Sequence, residues 1–356
     1  MSDTPPSPIL KPAAEDRPYL RKLAWTVVAA ALIFVVWRAS DLLLLAFGSI
    51  LGAIMFRSTA RLFTRIGVRN ERIALVLGML VVLSLIGLIF WMLAVEFGTQ
   101  IAGMLSNLPS TLRDIEDALS TTEVGRTVVQ AVEASEGGSR LAQRLGDVLS
   151  GSGVLLLNFA IVLVGAIFFA GSPDTYARGL ILLTPPPGRP AMERTIRQVS
   201  LALRLWLKAK LITMTVMGVL ISAGLYIAGV PGWAALGLLG GLSEFVPYVG
   251  PTVAILPAIG IAAAEGSDVL LKTLGAFLVV RIIEAYALTP AVNSRVVSIP
   301  PALTLFVILM AGAVFGVYGI FFAGALLVVA FVMVRELYLR DTLGEDIEGV
   351  PRELKG

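Results

Sequence analysis

The chain has 356 residues, 57% of them hydrophobic and 15% charged, against about 45–50% and 25% in a soluble globular protein, so its surface must itself face an apolar medium. A net charge of +3 is no nucleic-acid footprint, and no nucleic-acid partner is expected. With no Cys and no His, disulfides, thiolate nucleophiles, Cys/His zinc sites and His-based triads or relays are excluded; no Gly-x-x-x-x-Gly-Lys-Ser/Thr run occurs, which excludes a P-loop ATPase.

In chain order, residues 1–22 are polar and Pro-rich and read as a cytoplasmic tail. Leu23–Trp37 and Leu42–Phe56 are short uncharged runs separated by Arg38-Ala39-Ser40-Asp41. They read as a helical hairpin with Ser40 or Asp41 capping the second helix. A signal-peptide reading of the first run is set aside because further apolar segments follow at once. Ile73–Val95 is a full span, since about 20 helical residues cross ~30 Å of hydrocarbon. Residues 23–95 thus form an N-terminal group of membrane helices.

Residues 96–150 carry eight acids and four bases. Ile101, Leu105, Leu108, Leu112, Ile115 and Leu119 recur there at alternating steps of 4 and 3, a heptad seam. A second set is Val124, Val128, Val132, Leu141, Leu145 and Val148. The segment reads as an extracytoplasmic helical pair, either folded on itself or packed on a neighbouring protomer. Gly153–Ala170 and Leu211–Val230 are further spans. Between them, residues 190–210 open with Pro190 and place Ile196, Val199, Leu203 and Leu207 on one side and Arg194, Arg197, Arg204 and Lys208 around the rest. That is an amphipathic helix at the inner face.

The later pattern differs. Trp233–Ala264 is apolar except for Glu244 but is interrupted by Gly240, Gly241, Pro247, Gly250, Pro251 and Pro257. Val269–Pro290 carries Lys272, Arg281 and Glu284. Val296–Val334 holds 39 residues without a formal charge, which as a straight helix would reach roughly 58 Å. Gly312, Gly316 and Gly319 near its middle favour a hairpin that enters and leaves on one side. Two Gly/Pro-broken apolar hairpins point to a transport site, because irregular backbone at membrane depth is tolerated only beside protein or water. Glycines that merely let helices approach closely are the plainer explanation. The C-terminal membrane region is thus 151–334, with 335–356 a cytoplasmic tail.

Arg57, Arg61, Arg65, Arg69 and Arg72 oppose Glu71 alone, and residues 172–210 carry seven bases against Asp174 and Glu193. The positive-inside rule puts both segments, and both termini, in the cytoplasm. The expectation is an all-α polytopic protein of the bacterial inner membrane, with about eight membrane segments, two of them broken or re-entrant.

A charge at membrane depth costs at least ~2.5–3.5 kcal/mol on insertion scales, so retained charges mark candidates. Glu244 has no neutralising neighbour in sequence. Protonation, a meeting with Arg281 in space, a wet cavity or a place at the membrane interface would each accommodate it. Arg281 and Glu284 are three apart and share a helix face, which suits a structural pair as well as a functional one. Without His, proton coupling would need a carboxylate whose pKa is raised by burial; Glu244 is the first candidate and Glu284 the second. Tyr248, Asn293 and the freed backbone at Gly250 and Gly312 offer uncharged hydrogen bonds to a polar solute.

The run Gly240-Gly241-Leu242-Ser243-Glu244-Phe245-Val246-Pro247-Tyr248-Val249-Gly250-Pro251 resembles the autoinducer-2 exporter family of permeases, with its Pro-Tyr-Val/Ile-Gly-Pro core. Pro290–Asn293 with Pro300-Pro301-Ala302-Leu303, and Ala311–Gly319 with its spaced glycines, are similar to two further family stretches. Coverage runs over roughly residues 20–335. The chain departs from many members in lacking His and in Val296-Val297-Ser298-Ile299. The resemblance implies about eight membrane segments and a homo-oligomer, as a pentameric ring. It also implies export of a small signalling molecule or, as in some members, sodium/proton antiport. From the residues themselves, the candidates for a substrate or ion pathway are Glu244, Pro247, Tyr248, Gly250, Pro251, Arg281, Glu284, Asn293, Gly312 and Gly316. No catalytic residue, cofactor or metal is expected; the partners are the bilayer, the solute or ion, and copies of the chain. A non-transporting scaffold built on the outer helices is the remaining alternative.

Overall fold

In the computed structural model the residues described are 26, 27, 34, 39–120, 152–288, 290 and 300–344; for 96–120, 152, 155 and 253 the backbone alone is described. The second heptad set and Asn293 lie outside them, as does the first predicted helix apart from residues 26, 27 and 34. The chain forms two units, Met1–Leu44 and Leu45–Gly356.

The described elements are all helical: α1 (Ser40–Arg65), α2 (Glu71–Ser120), α3 (Ser152–Gly171), α4 (Pro173–Leu183), α5 (Arg189–Ala228), α6 (Trp233–Ser243), α7 (Val249–Glu265), α8 (Ser267–Ile283) and α9 (Pro301–Met333). Wider π-helical turns follow α8 at Glu284–Leu288 and α9 at Val334–Thr342. Among them, four helices are long and apolar enough to cross a membrane, or five if α3 and α4, bent by 87° at their junction, count as one. Large apolar side chains are exposed on these helices, including Trp91, Phe168, Val219 and Phe306. Water would penalise such a surface, whereas acyl chains accept it.

α1 and α2 meet through a short connection, where the Asn70 carboxamide oxygen accepts the Arg72 and Ile73 N–H groups at 3.0 and 3.4 Å and so caps α2. α2 runs unbroken for 50 residues, so residues 96–120 continue the helix of the Ile73–Val95 span. α3 packs on α1 and α2 around Phe56, Val82, Ala166 and Ala170. Arg57 Nε donates to the Ala170 carbonyl at 2.8 Å, satisfying a carbonyl that the end of α3 leaves free.

The amphipathic stretch 190–210 and the span after it are one helix. α5 has 40 residues, roughly 60 Å. α6 folds back along α5. A side-chain carbon at Gly241 would come within 2.5 Å of the Met214 carbonyl and 2.7 Å of Gly218 Cα, so the backbones touch as only small residues permit. α7 and α8 complete a core of Met217, Ile221, Leu225, Leu236, Ala258, Ala262, Phe277 and Val280. α7 continues through Pro257, which costs it one backbone hydrogen bond but does not end it.

α9 is not straight. Gly316 has φ 62° and ψ −146°, a combination reserved for glycine. A side chain at Gly319 would strike the Ala311 carbonyl, and one at Gly312 would reach Ile320 at 2.8 Å. Residues so spaced stand about 12 Å apart in a straight helix. Ile308 and Ala311 share a buried cluster with Ala323. α9 therefore doubles back at Gly316 as two packed arms.

Candidate functional site

α6 ends at Ser243, and Glu244 to Tyr248 form the tip of the first hairpin. Gly250 packs on the Ser243 carbonyl so closely that any side chain would collide. The Val249 N–H donates to Pro247 O at 2.7 Å and that of Gly250 to Val246 O at 3.1 Å, closing the turn. Tyr248 sits at φ 65°, the one non-glycine positive φ among the described residues. Such backbone costs of order 1–3 kcal/mol and persists only where surrounding structure enforces it. Pro251 falls in the first turn of α7, where its missing N–H goes unneeded. The Tyr248 ring is exposed.

Glu244 itself is 3% exposed. Arg281 Nη1 donates to its Oε1 at 3.2 Å, and the same nitrogen donates to Glu284 Oε2. Lys210, from α5, donates through Nζ to the Glu244 backbone carbonyl at 3.0 Å. Three helical elements thus deliver two carboxylates, a guanidinium and an ammonium to one place. Taken as ionised, the four charges sum to zero, which is how a buried centre avoids the cost of an unpaired charge. The guanidinium is 36% exposed on its side-chain surface, so the centre opens at Arg281 and is sealed at Glu244.

A row of rings flanks it. Phe245 meets Trp206 edge-on at 5.6 Å and stacks on Phe321 at 4.5 Å; Phe321 in turn meets Phe322 at 4.9 Å. Gly312 and Gly316 stay within the second hairpin, whose second arm reaches the ring row through Phe321 on Phe245 and through Gly324 against Trp206. Just past Gly316, the Tyr318 hydroxyl accepts a hydrogen bond from Asn158 Nδ2 of α3. Among the described residues, no group of three His, Cys, Asp or Glu could hold a metal ion.

Lys210, Trp206, Phe245 and Phe321 escape a sequence reading. The signal for Lys210 is its place as the last base before the uncharged Leu211–Val230 run. Trp206 lies one turn earlier on the same face.

Compared with known families, the chain matches the one described as AI-2E family transporter over residues 25–339. The chain belongs to the AI-2E transporter family. It is therefore a multi-pass membrane protein of a transporter family. Similar proteins include "Putative transport protein YrrI" of Bacillus subtilis (strain 168), 25% identical over 44% of this chain and 45% of its own length. A "Putative transport protein" of Methanothermobacter thermautotrophicus is 26% identical over 57% and 64% respectively. "Putative transport protein MT0215" of Mycobacterium tuberculosis is 36% identical over 28% and 27%. The chain thus aligns with less than two thirds of the length of each of these relatives. The Pro-Tyr-Val-Gly-Pro tip, the Glu244 centre and the Gly316 fold-back all fall inside the AI-2E family match.

Proposed function

We propose that this chain is a secondary transporter that exports a small polar molecule across the bacterial inner membrane, with the Glu244 centre as the polar step of its route. The carrying observation is the shared guanidinium: Arg281 Nη1 holds Glu244 and Glu284 together at the break of an apolar hairpin. Glu244 lies roughly 18 Å of helix beyond the Gly232 turn. If that turn marks one membrane surface, the carboxylate sits within the ~30 Å hydrocarbon layer. Ionisable groups held there typically mark solute or ion routes. A solute bearing a hydroxyl or charge exchanges places with one arm of the Arg281 fork, and the partly exposed guanidinium is where it enters. The eight-segment, both-ends-cytoplasmic arrangement and the pentameric ring belong to this same proposal.

Two carboxylates on one cation also favour a second reading, cation/proton antiport, in which a sodium ion or proton displaces Arg281. Proteoliposomes carrying the native chain or E244Q separate the two. Export requires autoinducer-2 flux down its gradient that E244Q abolishes. Antiport requires sodium-driven proton movement, read with a pH dye, that E244Q abolishes. Native-level autoinducer-2 flux in E244Q overturns the assigned role of the centre, and absence of both fluxes in the native chain overturns transport of these solutes.

A further inference from the structure

Beside the connection between α1 and α2, the end of α1 and the start of α2 frame a half-open pocket of about 220 Å³ lined by Arg57, Arg61, Thr64, Glu71 and Leu75 among others. This is far more space than one water or ion occupies, about 10–15 Å³ in the same measure. Arg57 and Arg61 stand one turn apart on α1, and Glu71 begins α2 across the connection. Arg57 spends Nε on the Ala170 carbonyl, which anchors its planar fork. Arg61 and Glu71 have no ion pair among the described residues. Opposite charges that share a pocket without meeting leave room for something between them.

Sidedness alone would explain a stripe of arginines, but it calls for neither a cavity nor an acid in its wall. Both α1 and α2 are long and apolar enough to span a membrane, so their connection lies at a bilayer surface whichever side it faces. Leu62, Ile66 and Ile73 around it are exposed, Ile66 at 81%. Apolar side chains at this level meet the acyl boundary while the pocket meets the headgroups. Guanidinium forks match phosphate oxygens, and a carboxylate matches an ammonium.

We propose that this pocket is a lipid-headgroup site selective for a zwitterionic amino-phosphate, with phosphatidylethanolamine as its occupant: Arg57 and Arg61 hold the phosphate, and Glu71 accepts from the primary ammonium. Phosphatidylglycerol offers Glu71 no cation. Phosphatidylcholine offers a quaternary ammonium that cannot donate a hydrogen bond. The site is independent of the transport reading, since it involves neither hairpin.

The test uses the full-length protein, delipidated in detergent and titrated with the three lipids bearing identical acyl chains, with native mass spectrometry counting lipids retained per chain. Phosphatidylethanolamine should be retained about tenfold more tightly than either competitor, because it alone completes both charge-assisted contacts. R61Q should lose that preference, and E71Q should turn it towards phosphatidylglycerol by leaving a purely basic pocket. Both residues are exposed, so neither variant threatens folding. Equal or tighter retention of phosphatidylglycerol by the native chain overturns the proposal, as does an E71Q ranking that matches the native one. Displacement of the lipid by equimolar soluble phosphoethanolamine would overturn the lipid as occupant.

Discussion

Phe245 and Phe321 stack with ring centroids 4.5 Å apart and planes 26° from parallel, and this contact ties the tip of the first hairpin to the second arm of the other. Phe245 follows Glu244 directly, so a shift of the second hairpin reaches the ion-pair centre through one ring. Double-mutant analysis of F245A and F321A should show a coupling of about 0.5–1.5 kcal/mol in thermal stability, the usual worth of an aromatic pair beyond its area. Strictly additive losses would show that the rings act independently.

The α5–α6 contact positions Lys210, and Gly241 sets its distance. G241A inserts a methyl between backbones already in contact, which must move α6 off α5 and draw Glu244 away from Lys210 Nζ. The expected cost is about 1–3 kcal/mol by thermal unfolding in detergent, in the range of overpacked sites. G87A is the control, since nothing lies within 4 Å of a side chain there; it should be neutral or stabilising by up to about 1 kcal/mol.

Arg281 matters to folding as well as to function. R281Q leaves the buried Glu244 and the neighbouring Glu284 without their shared cation. Because the guanidinium is partly exposed, the expected loss is about 2–3 kcal/mol rather than the larger figure for a fully buried pair. Adding E244Q to R281Q should recover most of it, because the buried charge disappears with the cation. A double variant less stable than R281Q alone would contradict this account.

Gly316 turns the second hairpin at a φ/ψ pair closed to side chains. G316A should cost about 1–3 kcal/mol even though a methyl there meets no neighbour within 4 Å, which separates backbone strain from crowding. A G316A variant as stable as the native chain in thermal unfolding would show that the turn accepts a side chain without strain.

Much of the helical plan is legible in the sequence because hydrophobic run length and charge placement act locally. The Glu244 break is legible for the same reason: glycine and proline impose their effects on their own backbone. The fold-back of α9 follows from a run too long for one bilayer crossing together with central glycines. The meeting of Glu244 with Arg281 is only one of several outcomes that the sequence allows, because the two are far apart along the chain and only the α5–α6–α8 packing brings them together. Lys210 is hidden for a related reason. Counted among seven bases of one segment, it looks like a marker of sidedness until α5 proves continuous and carries it beside the hairpin tip. The length of α2 is also hidden, since a change from apolar to heptad patterning alters a helix's surroundings without ending it.

The central claim, that the Glu244 centre borders water within the membrane region, is tested most directly by thiol labelling, for which the chain offers a cysteine-free background. R281C and E284C, each introduced alone at the open side of the centre into the full-length protein in liposomes, should react with a charged, membrane-impermeant thiosulfonate. Their rates should exceed by at least about tenfold that of F306C, placed on the exposed apolar face of α9, because only a hydrated thiol ionises to the reactive thiolate. Labelling of both at the slow rate of F306C would mean that the centre is dry, and the route drawn through it would be wrong.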